Sequence, residues 1–246
     1  MIRSIASLSK ENGAPCIMMN NALFPLSGNT WLVVLNDNVV KAEFGQDSNF
    51  WDNECISLKG KDVQTLQYLE LNDFKCIVVG LCNEIMISDL DGVQLFHKKM
   101  DMENATCALI QSDSNNHPVI FIGTSLGRIL RINTGKDSDW ELNEEFKVSQ
   151  NIWTIFQFKD FLVISLESGE LEFWKNTGSW ETIAVIESKY PCTSMYAFES
   201  EYLLVARFNG NIDILNSDLC TLISIGAHTG YISGIAFSTN KVINTK

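Results

Sequence analysis

The stretch VARFNGNIDILNSDLCTLISIGAH, residues 205–228, decides the fold. A short apolar run ends at an Asn209-Gly210 turn, and an alternating segment follows. The polar break Asn216-Ser217-Asp218 then leads to a second alternating segment that closes on Ala227-His228. Period-two alternation on either side of an Asn-Gly pair is the pattern of a hairpin of half-buried strands.

The same order of parts recurs upstream, in FLVISLESGELEFWKNTGSWETIAVI (residues 161–186) and VIFIGTSLGRILRINTGKDSDWELNEEF (residues 119–146). The turn glycines Gly127, Gly169 and Gly210 stand 42 and 41 residues apart. Two weaker copies precede them. CIVVGLCNEIMISDLDGVQLFHKKM (residues 76–100) has Asn83 at the glycine place, and WLVVLNDNVVKAEF (residues 31–44) turns at Asn36-Asp37-Asn38. Asn and Asp tolerate the left-handed backbone of a tight turn, so the period survives the exchange.

Further short alternating segments lie between the copies, at 63–71, 106–110, 152–158, 193–198 and 231–237, each followed by a short polar loop. Each period therefore predicts four strands, and four strands per 41 or 42 residues is the pattern of a β-propeller. A lone four-stranded sheet cannot cover both of its faces, whereas sheets arranged radially cover one another. The second strand of each unit is the most continuously apolar and is expected near the middle of its sheet. The alternative all-β arrangement is a two-layer sandwich.

The expected architecture is one all-β propeller domain over residues 1–246, with four-stranded blades near 15–60, 61–103, 104–149, 150–190 and 191–228, and the start of a sixth at 229–246. That is about five to six blades and an incomplete ring.

Composition narrows the partners. A net charge of −12 and a pI near 4.6 oppose binding to polyanions, and no Lys or Arg cluster is present to displace counterions, so no nucleic acid is expected. The start of the chain has no apolar core of signal-peptide length and no window has the run of a spanning helix, so direct membrane insertion is not expected and the chain reads as intracellular, soluble and cytoplasmic. Seven scattered cysteines (Cys16, Cys55, Cys76, Cys82, Cys107, Cys192, Cys220), mostly inside apolar runs, read as reduced core thiols.

A search for chemistry finds no catalytic, cofactor-binding or metal residues to assign. His97, His117 and His228 lack metal-ligand neighbours, and no Cys-x-x-Cys pair is present. The run Gly123-Thr124-Ser125-Leu126-Gly127-Arg128 has no Gly-Lys-Ser/Thr ending and leads into a strand, so it reads as a hairpin turn rather than a phosphate loop. Asp101, Glu103, Asp137, Asp139, Glu141, Glu144 and Glu145 read as solvated loop acids, with paired-acid chemistry on a carbohydrate or small molecule as the enzymatic alternative.

The blade units resemble the WD-repeat family. Trp174 takes the family's Trp place in Glu170-Leu171-Glu172-Phe173-Trp174, Asn209 its turn-Asp place, and Ala227-His228 its Gly-His place. Leu126 and Ser168 replace the turn Asp elsewhere, and Ser88, Ile132 and Leu215 replace the Trp, so the repeats are degenerate. Residues 20–26, 121–130 and 210–212 with Ala227-His228 carry the resemblance further, to a small propeller that continues for about two more blades; on that comparison this chain reads as a fragment or truncated product.

The resemblance implies a non-catalytic scaffold that binds other proteins through rim loops. Arg207 and Phe208 at a turn, and Asp137 and Asp139 in the loop between third and fourth strands on the opposite rim, are the candidate protein-binding residues. A structural subunit whose open edge is completed by a partner strand is the second reading.

Overall fold

The structure, a computed structural model, describes residues 23–27, 30–35, 38–44, 50–59, 61–134, 140–230 and 232. Within them the chain makes five four-stranded antiparallel sheets, each formed by consecutive strands in chain order.

The first sheet holds β1 (Leu23–Ser27), β2 (Thr30–Leu35), β3 (Asn38–Phe44) and β4 (Phe50–Ser57). The second holds β5 (Val63–Leu71), β6 (Phe74–Leu81), β7 (Glu84–Ser88) and β8 (Gln94–Lys99). The third holds β9 (Ala105–Ser112), β10 (Pro118–Thr124), β11 (Arg128–Asn133) and β12 (Glu141–Lys147). The fourth holds β13 (Ile152–Phe158), β14 (Phe161–Leu166), β15 (Leu171–Asn176) and β16 (Trp180–Ile186). The fifth holds β17 (Cys192–Phe198), β18 (Tyr202–Arg207), β19 (Asn211–Leu215) and β20 (Thr221–Gly226).

The second strands are central and buried on both faces, which explains their unbroken apolar runs. Alternation then assigns each residue to one neighbouring sheet. On β10, Ile120 and Ile122 join Ile85 and Ile87 of the second sheet, while Val119 and Phe121 join Leu162 and Ile164 of the fourth. On β14, Val163 points the other way, into a core with Leu203 and Val205 of the fifth. Val39 and Ile56 of the first sheet meet Ile77 and Val79 of the second in the same manner. The first strands β5, β9, β13 and β17 lie side by side and form the inner wall.

The periodic glycines serve more than their turns. Gly127, Gly169 and Gly210 have φ of 79°, 104° and 88°, and Asn83 takes the same region at 57°. A Cβ on Gly210 would stand 2.1 Å from the His228 carbonyl oxygen. The segment leading out of each sheet lies directly on this turn: Met100 donates its amide to the Asn83 carbonyl, Val148 to that of Gly127 and Ala227 to that of Gly210. Gly210→Ala is therefore expected to lose the left-handed backbone energy of about 1–2 kcal/mol and to displace residues 227–230 as well. Gly178→Ala, at φ 112° in open space, loses only the backbone part. Urea unfolding of both variants checks the difference.

Burial pushes the thiols of Cys76, Cys107 and Cys192 up to about 12, while Cys82 and Cys220 are exposed, against the expectation of a core role for them. A thiol of pKa near 12 is ionised to about one part in ten thousand at pH 8. Iodoacetamide at pH 8 should label Cys82 and Cys220 and leave the three buried thiols unmodified until the chain unfolds, as read by peptide mass mapping.

Candidate functional site

Arg207 is not at an exposed turn. β18 continues through it, so alternation places its side chain on the face that carries Leu203 and Val205, toward the fourth sheet, and only 2% of the residue is exposed. Its Nε donates to Asp213 Oδ2 at 2.8 Å, and its Nη1 donates to the carbonyls of Gly169 at 3.0 Å and Tyr190 at 3.3 Å. It clamps the fourth sheet to the fifth from inside. Phe208 does lie in the turn, half-buried, with its ring edge-on to Trp153 of the fourth sheet at 5.6 Å. Asp137 and Asp139 lie outside the described residues; the strands that bracket them, β11 and β12, end at the rim discussed next.

Of the other acids, Asp101 is an exposed loop residue as expected, whereas Glu141, Glu144 and Glu145 lie on the outermost strand β12, and Glu103, in the loop before β9, is buried, receiving the Arg128 Nε–H at 3.0 Å. The three histidines stand apart from one another. His97 pairs with Glu84, His117 with Asp113, and His228 Nδ1 accepts the Gly230 amide. Among the described residues no group of three or more His, Cys, Asp or Glu could hold a metal ion, and no helix is long and apolar enough to cross a membrane. The run 123–128 is the turn between β10 and β11.

One concave site stands out on the rim where the loops joining first to second strands and third to fourth strands lie. Between the third and fourth sheets, a groove of about 550 Å³ opens beside the β9–β10 loop and the Lys159-Asp160 turn. Its apolar floor is Val119, Phe121, Leu162 and Trp180. The Gln111 side-chain amide donates to that of Gln157 across the two sheets. Glu145 ties the walls together, accepting from Arg131 Nη1 at 3.4 Å and from Trp180 Nε1 at 3.0 Å. Phe121, Phe146, Trp174 and Trp180 cluster behind it, with Phe146 stacked on Trp174 at 4.4 Å and Phe121 edge-on to Trp180 at 6.0 Å.

The rim of this groove is charged. The Lys175 ammonium holds the Asp160 carboxyl below the usual carboxylate range, and the backbone amide of His117 does the same for Asp113. Arg131 and Lys175 face these two carboxylates, and Arg131 also pairs with Glu145. A site of this kind, with hydrogen-bonding groups at its edge and aromatic surface within, is suited to holding a ligand. The sequence reading missed this groove because its residues come from seven strands and two loops, none of them a motif.

Five four-stranded sheets packed face to face in chain order define a β-propeller. No protein-family model matches the chain, and no curated protein is significantly similar to it. Among solved structures, 1132 chains match it. The computationally designed Ika8 protein matches with a TM-score of 0.59 at 14% identity, over 89% of this chain and 66% of that one. BBS1N, a propeller solved in complex with ARL6DN in crystals soaked with mercury or lead, matches with a TM-score of 0.62 at 10–12% identity, over 85% of this chain and 67% of its own. The chain spans about two thirds of the length of these solved proteins. At such identities the likeness is one of fold.

Proposed function

We propose that the chain is a non-catalytic, cytoplasmic scaffold of WD-repeat type, similar to WD repeat-containing protein 54, that binds other proteins through its propeller rim. The observation that carries this reading is the rim groove between the third and fourth sheets, with its apolar floor and hydrogen-bonding edge. That anatomy is the one protein interfaces share. The capture of ARL6DN by BBS1N on a similar fold supports it. The acidic balance of −12 disfavours nucleic acid as a partner.

Affinity purification of the tagged full chain from cells tests the proposal. A stoichiometric protein partner is the expected result; recovery of no partner, together with turnover of a small molecule by the purified chain, contradicts it.

A second reading, a subunit completed by another protein's strand or sheet, is favoured by one observation. The outer strand β20 exposes Leu222, Ile223 and Ile225 by 45–55% each. Apolar side chains clustered on an outer strand mark a surface built to be covered. Size-exclusion chromatography separates the readings: a clean monomer at micromolar concentration speaks against the second, and a defined larger species supports it.

A further inference from the structure

The groove exists because the third sheet departs from its neighbours at equivalent places. Strand register makes the comparison direct. Leu69 pairs with Cys76 on the second sheet, Gln111 with Val119 on the third and Phe158 with Phe161 on the fourth, and each pair faces the next sheet along. Leu69 and Phe158 help fill the space to the next sheet, whereas Gln111 does not.

The same holds one strand over. Arg131, opposite Phe121, stands where Ile87 stands opposite Val78 and Phe173 opposite Val163. Finally, the rings of Phe74 and Phe161, the first residues of β6 and β14, both pack into the cleft to the next sheet. In the third sheet the register place of Phe74 is His117, exposed and turned to Asp113.

Two positions that are apolar in both flanking sheets are thus Gln and Arg here, and the place of Phe74 in the second sheet holds His. Polar residues where packing requires apolar ones weaken a fold, and such local conflict is expected at functional sites. The cleft between the second and third sheets shows what the vacated volume accommodates: there Phe74 and Phe96 pack on Trp140, with ring centroids 6.2 and 5.8 Å away.

We infer that the groove between the third and fourth sheets receives an extended segment of a partner protein that inserts an uncharged aromatic side chain where Phe74 and Phe161 fill the neighbouring clefts. Phe121 and Trp180 offer the ring surfaces, and edge-to-face or stacked contact on them adds about 0.5–1.5 kcal/mol beyond burial. The amides of Gln111, Gln157 and Asn176 both donate and accept, which matches the alternating groups of a peptide main chain. Two cations against three carboxylates, Asp113, Asp160 and Glu145, leave no positive excess to select a phosphorylated segment. The inference rests on the scaffold reading above and names the partner's chemistry.

Phage-displayed random heptapeptides panned against the intact chain test it. Enriched sequences are expected to share one aromatic residue among uncharged neighbours. A synthetic acetylated copy should shift the Trp180 indole N–H resonance, and its affinity should fall by at least about tenfold in Gln111→Phe, which fills the groove as Phe158 fills its own cleft, and in Arg131→Ile. The melting temperature of both variants should stay equal to wild type or rise, and the remote Lys98→Ala should bind as wild type does.

Failure to enrich aromatic sequences, enrichment of acidic or basic ones, or a bound peptide that leaves the Trp180 resonance unmoved overturns the inference. If the wild-type chain captures its cellular partner and Gln111→Phe captures as much of it, the groove assignment falls while the scaffold reading stands.

Discussion

Replacing Arg207 by methionine is expected to reduce unfolding free energy by about 3–5 kcal/mol, the usual cost of removing one partner from a buried ion pair. The reason is what stays behind. Asp213 keeps a carboxylate that is mostly buried, and the carbonyls of Gly169 and Tyr190 lose their donor inside the junction between the fourth and fifth sheets. A methionine fills much of the volume but offers no N–H. The double variant Arg207→Met, Asp213→Leu should recover much of the loss, because an apolar pair of similar size removes the uncompensated charge. Denaturant unfolding of the two single variants and the double variant checks this. A loss under about 1 kcal/mol in Arg207→Met would place the guanidinium in solvent.

Phe173→Ala carries the second large effect. Phe173 is fully buried on β15, in the core shared by Phe158 and Val163 of the fourth sheet with Leu203 and Val205 of the fifth. Phe161 lies edge-on to it at 6.2 Å. Removing the ring leaves a cavity that rigid flanking strands close only in part, so the loss is about 3–5 kcal/mol, as for other buried Phe→Ala changes. The measurement is again denaturant unfolding, with hydrogen exchange added to locate the damage. Amides of β14, β15, β17 and β18 should lose protection before those of β6 and β10, because the repaired or broken contact lies in one junction of a sequentially packed array. Equal loss of protection in all five sheets would show that the junctions do not open separately.

Much of the fold is legible in the sequence for a simple reason. Middle strands buried on both faces give unbroken apolar runs, and the glycine or asparagine at the following turn must accept a positive φ against the passing chain. Both leave marks at a fixed interval. The first strands Val63–Leu71 and Ile152–Phe158, which precede those runs, are also found at their expected bounds.

The outer strands leave weaker marks. β12 is exposed or half-buried along its whole length, so its glutamates look like loop residues. Arg207 misleads in the opposite sense. Beside Phe208 and an Asn-Gly pair it reads as part of the turn, and only the register, with Cys192 opposite it, shows that it is the last inward residue of a strand.

The groove was illegible for a related cause. Its polar residues become conspicuous only when matched to Leu69, Phe74 and Ile87 in one direction and to Phe158 and Phe173 in the other. The β9–β10 loop is longer than the turns at Asn72-Asp73 and Lys159-Asp160, which breaks the constant offset between copies. Chain spacing alone aligns the glycines and misaligns the rim.

The central claim is that the middle strands β6, β10 and β14 each hide one face against the sheet before and the other against the sheet after. Methyl NOE spectroscopy on the labelled chain tests this most directly. The account predicts cross-peaks linking Ile120 to Ile85 or Ile87, Ile164 to Ile129, and Val163 to Leu203 or Val205, with none linking Ile120 to Ile164. Cross-peaks between Ile120 and Ile164, or a Val163 methyl that sees only water, would contradict it.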